Sequence, residues 1–189
     1  MQFQAIRNEI CKRLGDIKNQ KFITVAGEYF LEALSNILMG DDFTPTEVPE
    51  LVSKIDKTAA FQSGYGEIDI TDLNVLKVYH IEIDPSKNSG RRFIVKLITP
   101  EYAEKVKISS VLYPAENELY TYQENAVIRI ITSPMTKKGL KISIINIKYP
   151  QSSGWLTQDL TTDLHYSPRI IDNAITGAVK LIAGNYDTK

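Results

Sequence analysis

The sequence predicts an α+β fold in which helices at the two ends of the chain form one unit and an antiparallel β block is inserted between them. Apolar residues recur with a period near 3.6 in the opening and closing segments, and the period falls towards 2 through a long middle rich in valine, isoleucine and tyrosine. Cap signals bound the helical stretches: Gly15, Gly40 and the pair Ser167-Pro168.

The elements follow in order. Phe3, Ile6, Ile10, Cys11 and Leu14 fall on one helical face, and Gly15 stands where a left-handed cap would. From Ile23 to Met39, Val25, Tyr29, Leu34, Ile37 and Leu38 line a second face, closed by Gly40, Asp41 and Asp42. A third helix is expected over 46–60, with Thr46 as N-cap, Pro49 in a first turn that needs no donor, and Val48, Leu51, Val52, Ile55 and Ala59 as its stripe. Beyond Phe61 the run Gln62 to Gly66 is turn-like. Strands are then expected at Val75 to Ile83, Arg92 to Ile98, Glu118 to Tyr122, Ala126 to Ile131 and Lys141 to Tyr149. Thr99-Pro100-Glu101 places cap, first-position proline and first-turn acid in order for a brief helix ending near Val106. Asp84 to Gly90 reads as a loop and Gln123 to Asn125 as a tight connection.

Ser167 and Pro168 begin a last helix whose stripe is Ile170, Ile171, Ala174, Ile175, Ala178 and Ile182, with Gly184 as its stop. An isolated helix must bury such a stripe, and the opening helices are the available partner. The expected division is therefore 1–61 with 160–189 as the helical part, and 62–159 as the β block with an extended linker.

Composition narrows function. The chain has 189 residues with 43% hydrophobic content, so it can bury roughly 70% of its unfolded surface. Lys and Arg number 22 against 23 Asp and Glu, a net charge of -1, which disfavours tight general DNA binding. One cysteine, Cys11, allows no intrachain disulfide, and His80 and His165 cannot complete a soft-metal cage with it. No metal or cofactor is expected. Arg7, Glu9, Lys12 and Arg13 interrupt the opening apolar positions, so no secretion signal is read there. No run approaches the ~18 apolar residues needed to span a bilayer.

Chemistry-bearing residues are sparse. Asp163 and His165 are the best catalytic pair, suggesting a small hydrolase or transferase as the alternative function, but no nucleophile motif accompanies them. A loop histidine before a helix cap is the simpler reading, and His80 reads as a strand residue without a role. Gly64 and Gly66 lack the rest of a phosphate loop. Arg91, Arg92, Lys137 and Lys138 read as solvated charges, and Tyr113, Tyr120 and Tyr122 as cross-strand packing or contacts to a protein neighbour. Trp155, in a long polar stretch, and Asn185 and Tyr186, in the tail, are candidate interface residues.

The order of elements resembles the head-tail connector or adaptor proteins of tailed bacteriophages, including the tail-adaptor ring proteins of short-tailed phages. The residues that carry the likeness are the helical opening through 46–60, the strand Leu76 to Ile83 with Thr99-Pro100-Glu101, the hairpin of Glu118 to Tyr120 with Ala126 to Ile130, and the ending Ile145 to Pro150, Leu160 to Leu164 and Tyr166 to Ala183. The resemblance implies a non-enzymatic homo-oligomeric ring in the virion, commonly of twelve copies. It would lie between portal and tail proteins, with the genome passing through it. A near-neutral chain suits DNA that slides past without being held. No membrane partner is implied.

Overall fold

The computed structural model describes residues 1–18, 21–133, 139–150 and 163–186. Helices and strands in two sheets give the expected α+β class. Two compact units divide the chain: one joins residues up to Val52 with those from Tyr149 onward, and the other is Ser53–Lys148.

In the helical unit, α1 (Phe3–Arg13) buries Phe3, Ile6, Ile10 and Cys11, while α2 (Ile23–Met39) buries Ala26, Phe30, Leu31, Ala33, Leu34 and Leu38. The buried face of α2 is thus turned from the expected one, leaving Val25, Tyr29 and Ile37 half-buried. Gly15, at φ 75°, follows the last turn of α1. There the Asp16 N–H donates to the Cys11 carbonyl and the Gly15 N–H to the Lys12 carbonyl, the paired bonds of a Schellman ending. The closing helix α4 (Pro168–Tyr186) buries every residue of its predicted stripe and packs on both α1 and α2. Gly177 faces Ala33 there: a Cβ added at Gly177 would lie 3.0 Å from the Ala33 Cβ, so two small residues set how closely α2 and α4 approach.

Three expectations are corrected. The third helix does not form. Thr44, rather than Thr46, caps a single 3₁₀ turn (Pro45–Glu47), a second turn follows (Pro49–Leu51), and the chain then runs extended as β1 (Val52–Ala59). Prolines at both turns interrupt a regular ladder, and Lys54, Asp56 and Thr58 face solvent at every second position, the period of a strand. Gly184 does not stop α4, which continues through Asn185 and Tyr186. The β block is also not wholly antiparallel, because β5 (Ile94–Leu97) lies parallel to β6 (Glu118–Glu124). The crossover between them carries α3 (Pro100–Ile108), where the Thr99 hydroxyl accepts from the Tyr102 N–H as the cap signal requires.

The remaining strands are β2 (Phe61–Gln62), β3 (Tyr65–Asp69), β4 (Val75–Glu82), β7 (Val127–Thr132) and β8 (Leu140–Lys148). They form a sheet of order β1-β8-β4 and another of order β2-β3-β7-β6-β5. Ser63 and Gly64, both at positive φ, turn β2 into β3, and Asn125 at φ 54° opens the β6–β7 turn. Gly66 is opposite Phe61 in register, and a side chain there would strike the Phe61 ring. One core gathers Ile68, Leu119, Ile128 and Ile130 with Val78, Ile81, Ile142 and Ile144, joining the inner faces of the two sheets. A second places Ala103 and Val106 of α3 on Tyr122 and Ile131, covering the other face of the larger sheet.

Ile175 is 2% exposed within the α4 stripe. Ile175→Asp should therefore destabilise the helical unit by about 3 kcal/mol or more, the scale of an uncompensated buried charge. Denaturant titration followed by circular dichroism checks this, and an unchanged midpoint contradicts the packing described.

Candidate functional site

The residues singled out in the sequence do not converge. Asp163 lies 3.9 Å from the Met1 ammonium and its backbone bridges to Gln2, whereas His165 turns its Nδ1 to Glu50 Oε1 at 2.5 Å. The imidazole is 75% exposed, and among the described residues no hydrogen bond joins either side chain to a hydroxyl or thiol that it could activate. His80 is exposed on β4. Cys11 is buried in the helical unit, where burial pushes its thiol up, away from the reactive thiolate.

Sequence reading missed one polar cluster of the helical unit. Glu47 sits in the capping box of the Pro45–Glu47 turn and faces the first turn of α4. Its Oε1 accepts from Ser167 Oγ and Arg169 Nε, both at 3.0 Å; its Oε2 accepts from Arg169 Nη2 at 2.8 Å and the Thr44 N–H at 2.9 Å. The Ser167 N–H donates to the Glu47 carbonyl and Arg169 also reaches the Asp42 carbonyl. The two-pronged Arg169 contact, with help from Thr44 and Ser167, holds the Glu47 carboxyl well below the usual range, at about 2. Such a carboxylate is no general base near neutrality. Its chemistry is that of a clasp, fastening the segment before β1 to the start of α4. The signal for half of it was present in Thr44-x-x-Glu47, a capping-box spacing.

In the β block, Ser143 Oγ donates to Asp56 Oδ1 at 2.5 Å and Lys87 Nζ to Asp56 Oδ2 at 2.8 Å. Lys87 pushes the Asp56 carboxyl down and is itself pushed up, which fixes both as ions and leaves Ser143 without a base. Asn88 ties the loop before β5 to β8, exchanging bonds with the Lys141 N–H and C=O.

The tyrosines are occupied. Tyr113 and Tyr65 share a phenol–phenol hydrogen bond, and burial pushes the Tyr113 hydroxyl up to about 12. Tyr120 lies against Tyr102 and under Lys96, and Tyr122 is in the core below α3. Tyr120 and Tyr122 thus pack against α3 more than across strands, and Tyr113 lies on no strand but pairs with Tyr65 of β3. Of the interface candidates, Asn185 Nδ2 donates to Tyr29 Oη at 3.0 Å, and Tyr186 packs edge-on to Phe22 while keeping 41% of its surface exposed. Trp155, Lys137 and Lys138 lie outside the described residues. Among the described residues, no three His, Cys, Asp or Glu side chains are grouped to hold a metal ion, and no helix is long and apolar enough to cross a membrane.

Glu47 supplies a pH test. Its folded pKa lies below the ordinary 4.5, so its contribution is present above that value and is lost as pH falls through about 4.5 towards 2. Glu47→Gln should melt lower than the unaltered protein at pH 7, and the gap should close by pH 2. A gap independent of pH would contradict the clasp.

No family model and no curated protein matches the chain.

Proposed function

We propose that this chain is a non-enzymatic structural protein that assembles as a ring between the portal and the tail of a tailed bacteriophage, with DNA passing through and touching it only non-specifically. The observation that supports the reading best is the architecture of insertion. The chain leaves a helical unit, builds a β block with cores of its own, and returns so that α4 lies on α1 and α2. The resemblance to connector proteins rests on that order of opening helices, β block with a short helix, and closing helix, although its 46–60 stretch runs as two short turns and a strand instead of a helix. The charge balance adds to it, because a protein with net charge -1 has little Coulombic hold on passing phosphates. The virion location, and the portal and tail as partners, belong to the same proposal.

Mass measurement in solution and negative-stain imaging, with and without a portal protein, test it. Closed rings of many copies, alone or on the portal, are expected. A monomer at every concentration that ignores the portal would count against the reading. Replacing His80 and His165 together by asparagine should leave ring formation intact. A hydrolytic turnover lost in that double variant would instead support the reading of Asp163 and His165 as an enzyme site.

A further inference from the structure

The two sheets of the β block are closed on one side and open on the other. On the closed side only Ala60 separates β1, the edge of the smaller sheet, from β2, the edge of the larger, so the chain itself passes between the sheets. The other two edges are β4 and β5, and a cleft lies between them, lined by His80, Glu82, Ile83, Asp84, Phe93 and Val95.

These two edges are protected unequally. β4 has two register shifts, and His80 and Glu82 stand on it; bulges and charges of this kind discourage further pairing. β5 is parallel to β6, and the Ile94 and Ile98 N–H groups donate to Asn117 and Thr121. Alternation along the strand then turns the N–H and C=O groups of Phe93, Val95 and Leu97 the other way, where no described strand lies. Side chains do not guard that edge. Ile94 and Leu97 are 53% and 55% exposed, and Lys96 is drawn to Glu118 at 2.7 Å and over the Tyr120 ring.

Charge says what would fit. Glu82 is paired with Lys54 at 2.7 Å, and Asp84 accepts from the N–H and the hydroxyl of Ser86. Arg91 and Arg92, just before β5, are exposed and make no side-chain bond or ion pair among the described residues. Two cations without a side-chain partner among the described residues therefore stand at the N-terminal end of β5. An antiparallel strand, the slightly stronger pairing, would bring its C-terminal end there.

We propose that the free edge of β5 is a docking site for an extended segment of a partner protein, which adds as an antiparallel strand, alternates apolar side chains over Phe93, Val95 and Leu97, and carries carboxylates at its C-terminal end opposite Arg91 and Arg92. The site goes beyond the connector reading and does not depend on ring formation.

The probe is a synthetic peptide of alternating valine and threonine ending in two aspartates, with a matched peptide ending in two lysines, titrated into the full chain. Fluorescence anisotropy should show binding of the aspartate peptide, weakened about tenfold or more by Arg91→Glu with Arg92→Glu. Amide exchange at Val95 and Leu97 should slow on binding. Val95→Pro removes an N–H that no described strand uses, so it should abolish binding while the melting temperature changes little. Should that variant fail to fold, the arginine pair, confined to exposed side chains, decides the matter. No binding of the aspartate peptide, equal binding of both peptides, or binding without protection at Val95 and Leu97 would overturn the proposal. Protection of those amides that rises with protein concentration alone would overturn it too, assigning the edge to a second copy of the chain.

Discussion

Everything in the helical unit depends on burying one apolar stripe. Ile170, Ile171, Ala174, Ile175, Ala178 and Ile182 are all within a few per cent of full burial, and an amphipathic helix with such a face has little stability alone. The chain must therefore come back to α1 and α2 after it has built the second unit, Ser53–Lys148, roughly the size of a small domain. Insertion is the covalent consequence of that burial. The small pair Ala33 and Gly177 lets α2 and α4 approach closely, and Glu47 with Arg169 ties the exit from the opening segment to the first turn of the closing helix. A buried stripe supplies the driving force in this arrangement, and a charged clasp fixes where the helix begins.

The β block follows a different rule. Its strands alternate between an inner core shared by the two sheets and, on the larger sheet, an outer core under α3. Pairing the two faces leaves edges as the remaining problem. One pair of edges is solved by continuity of the chain through Ala60, β4 by bulges and charge, and β5 by no strand among the described residues. An edge that no described strand pairs is where a neighbour has most to gain from hydrogen bonding.

Much of this was legible from local chemistry. Ser167-Pro168 and Thr99-Pro100-Glu101 each began a helix where their cap and proline geometry requires, and Gly15 closed α1 through a left-handed conformation. The failure over 46–60 has a physical cause. Val48, Leu51, Val52, Ile55 and Ala59 are spaced for a helix, but the same stretch alternates at Lys54, Asp56 and Thr58, and pairing with β8 supplied the partner that decided between the two periods. β3 escaped notice because Gly66, Glu67 and Asp69 dilute its apolar pattern, although it sits between β2 and β7 in the sheet. The parallel pairing of β5 with β6 depends on residues more than twenty positions apart in sequence, which no local pattern records. For the same reason the clasp was half visible: Thr44 and Glu47 are neighbours, but Arg169 reaches them only through the fold.

The return of α4 as an integral part of the helical unit is the claim on which the rest stands. Native-state hydrogen exchange on the full chain, followed through low denaturant, tests it most directly. Amides of Ala174, Ile175 and Ala178 in α4 should exchange with the same opening free energy as those of Ile10 in α1 and Phe30 and Leu34 in α2, merging into one cooperative unit. If the α4 amides exchange through a separate opening of much lower free energy while α1 and α2 stay protected, the closing helix is an appendage and insertion is not what builds this fold.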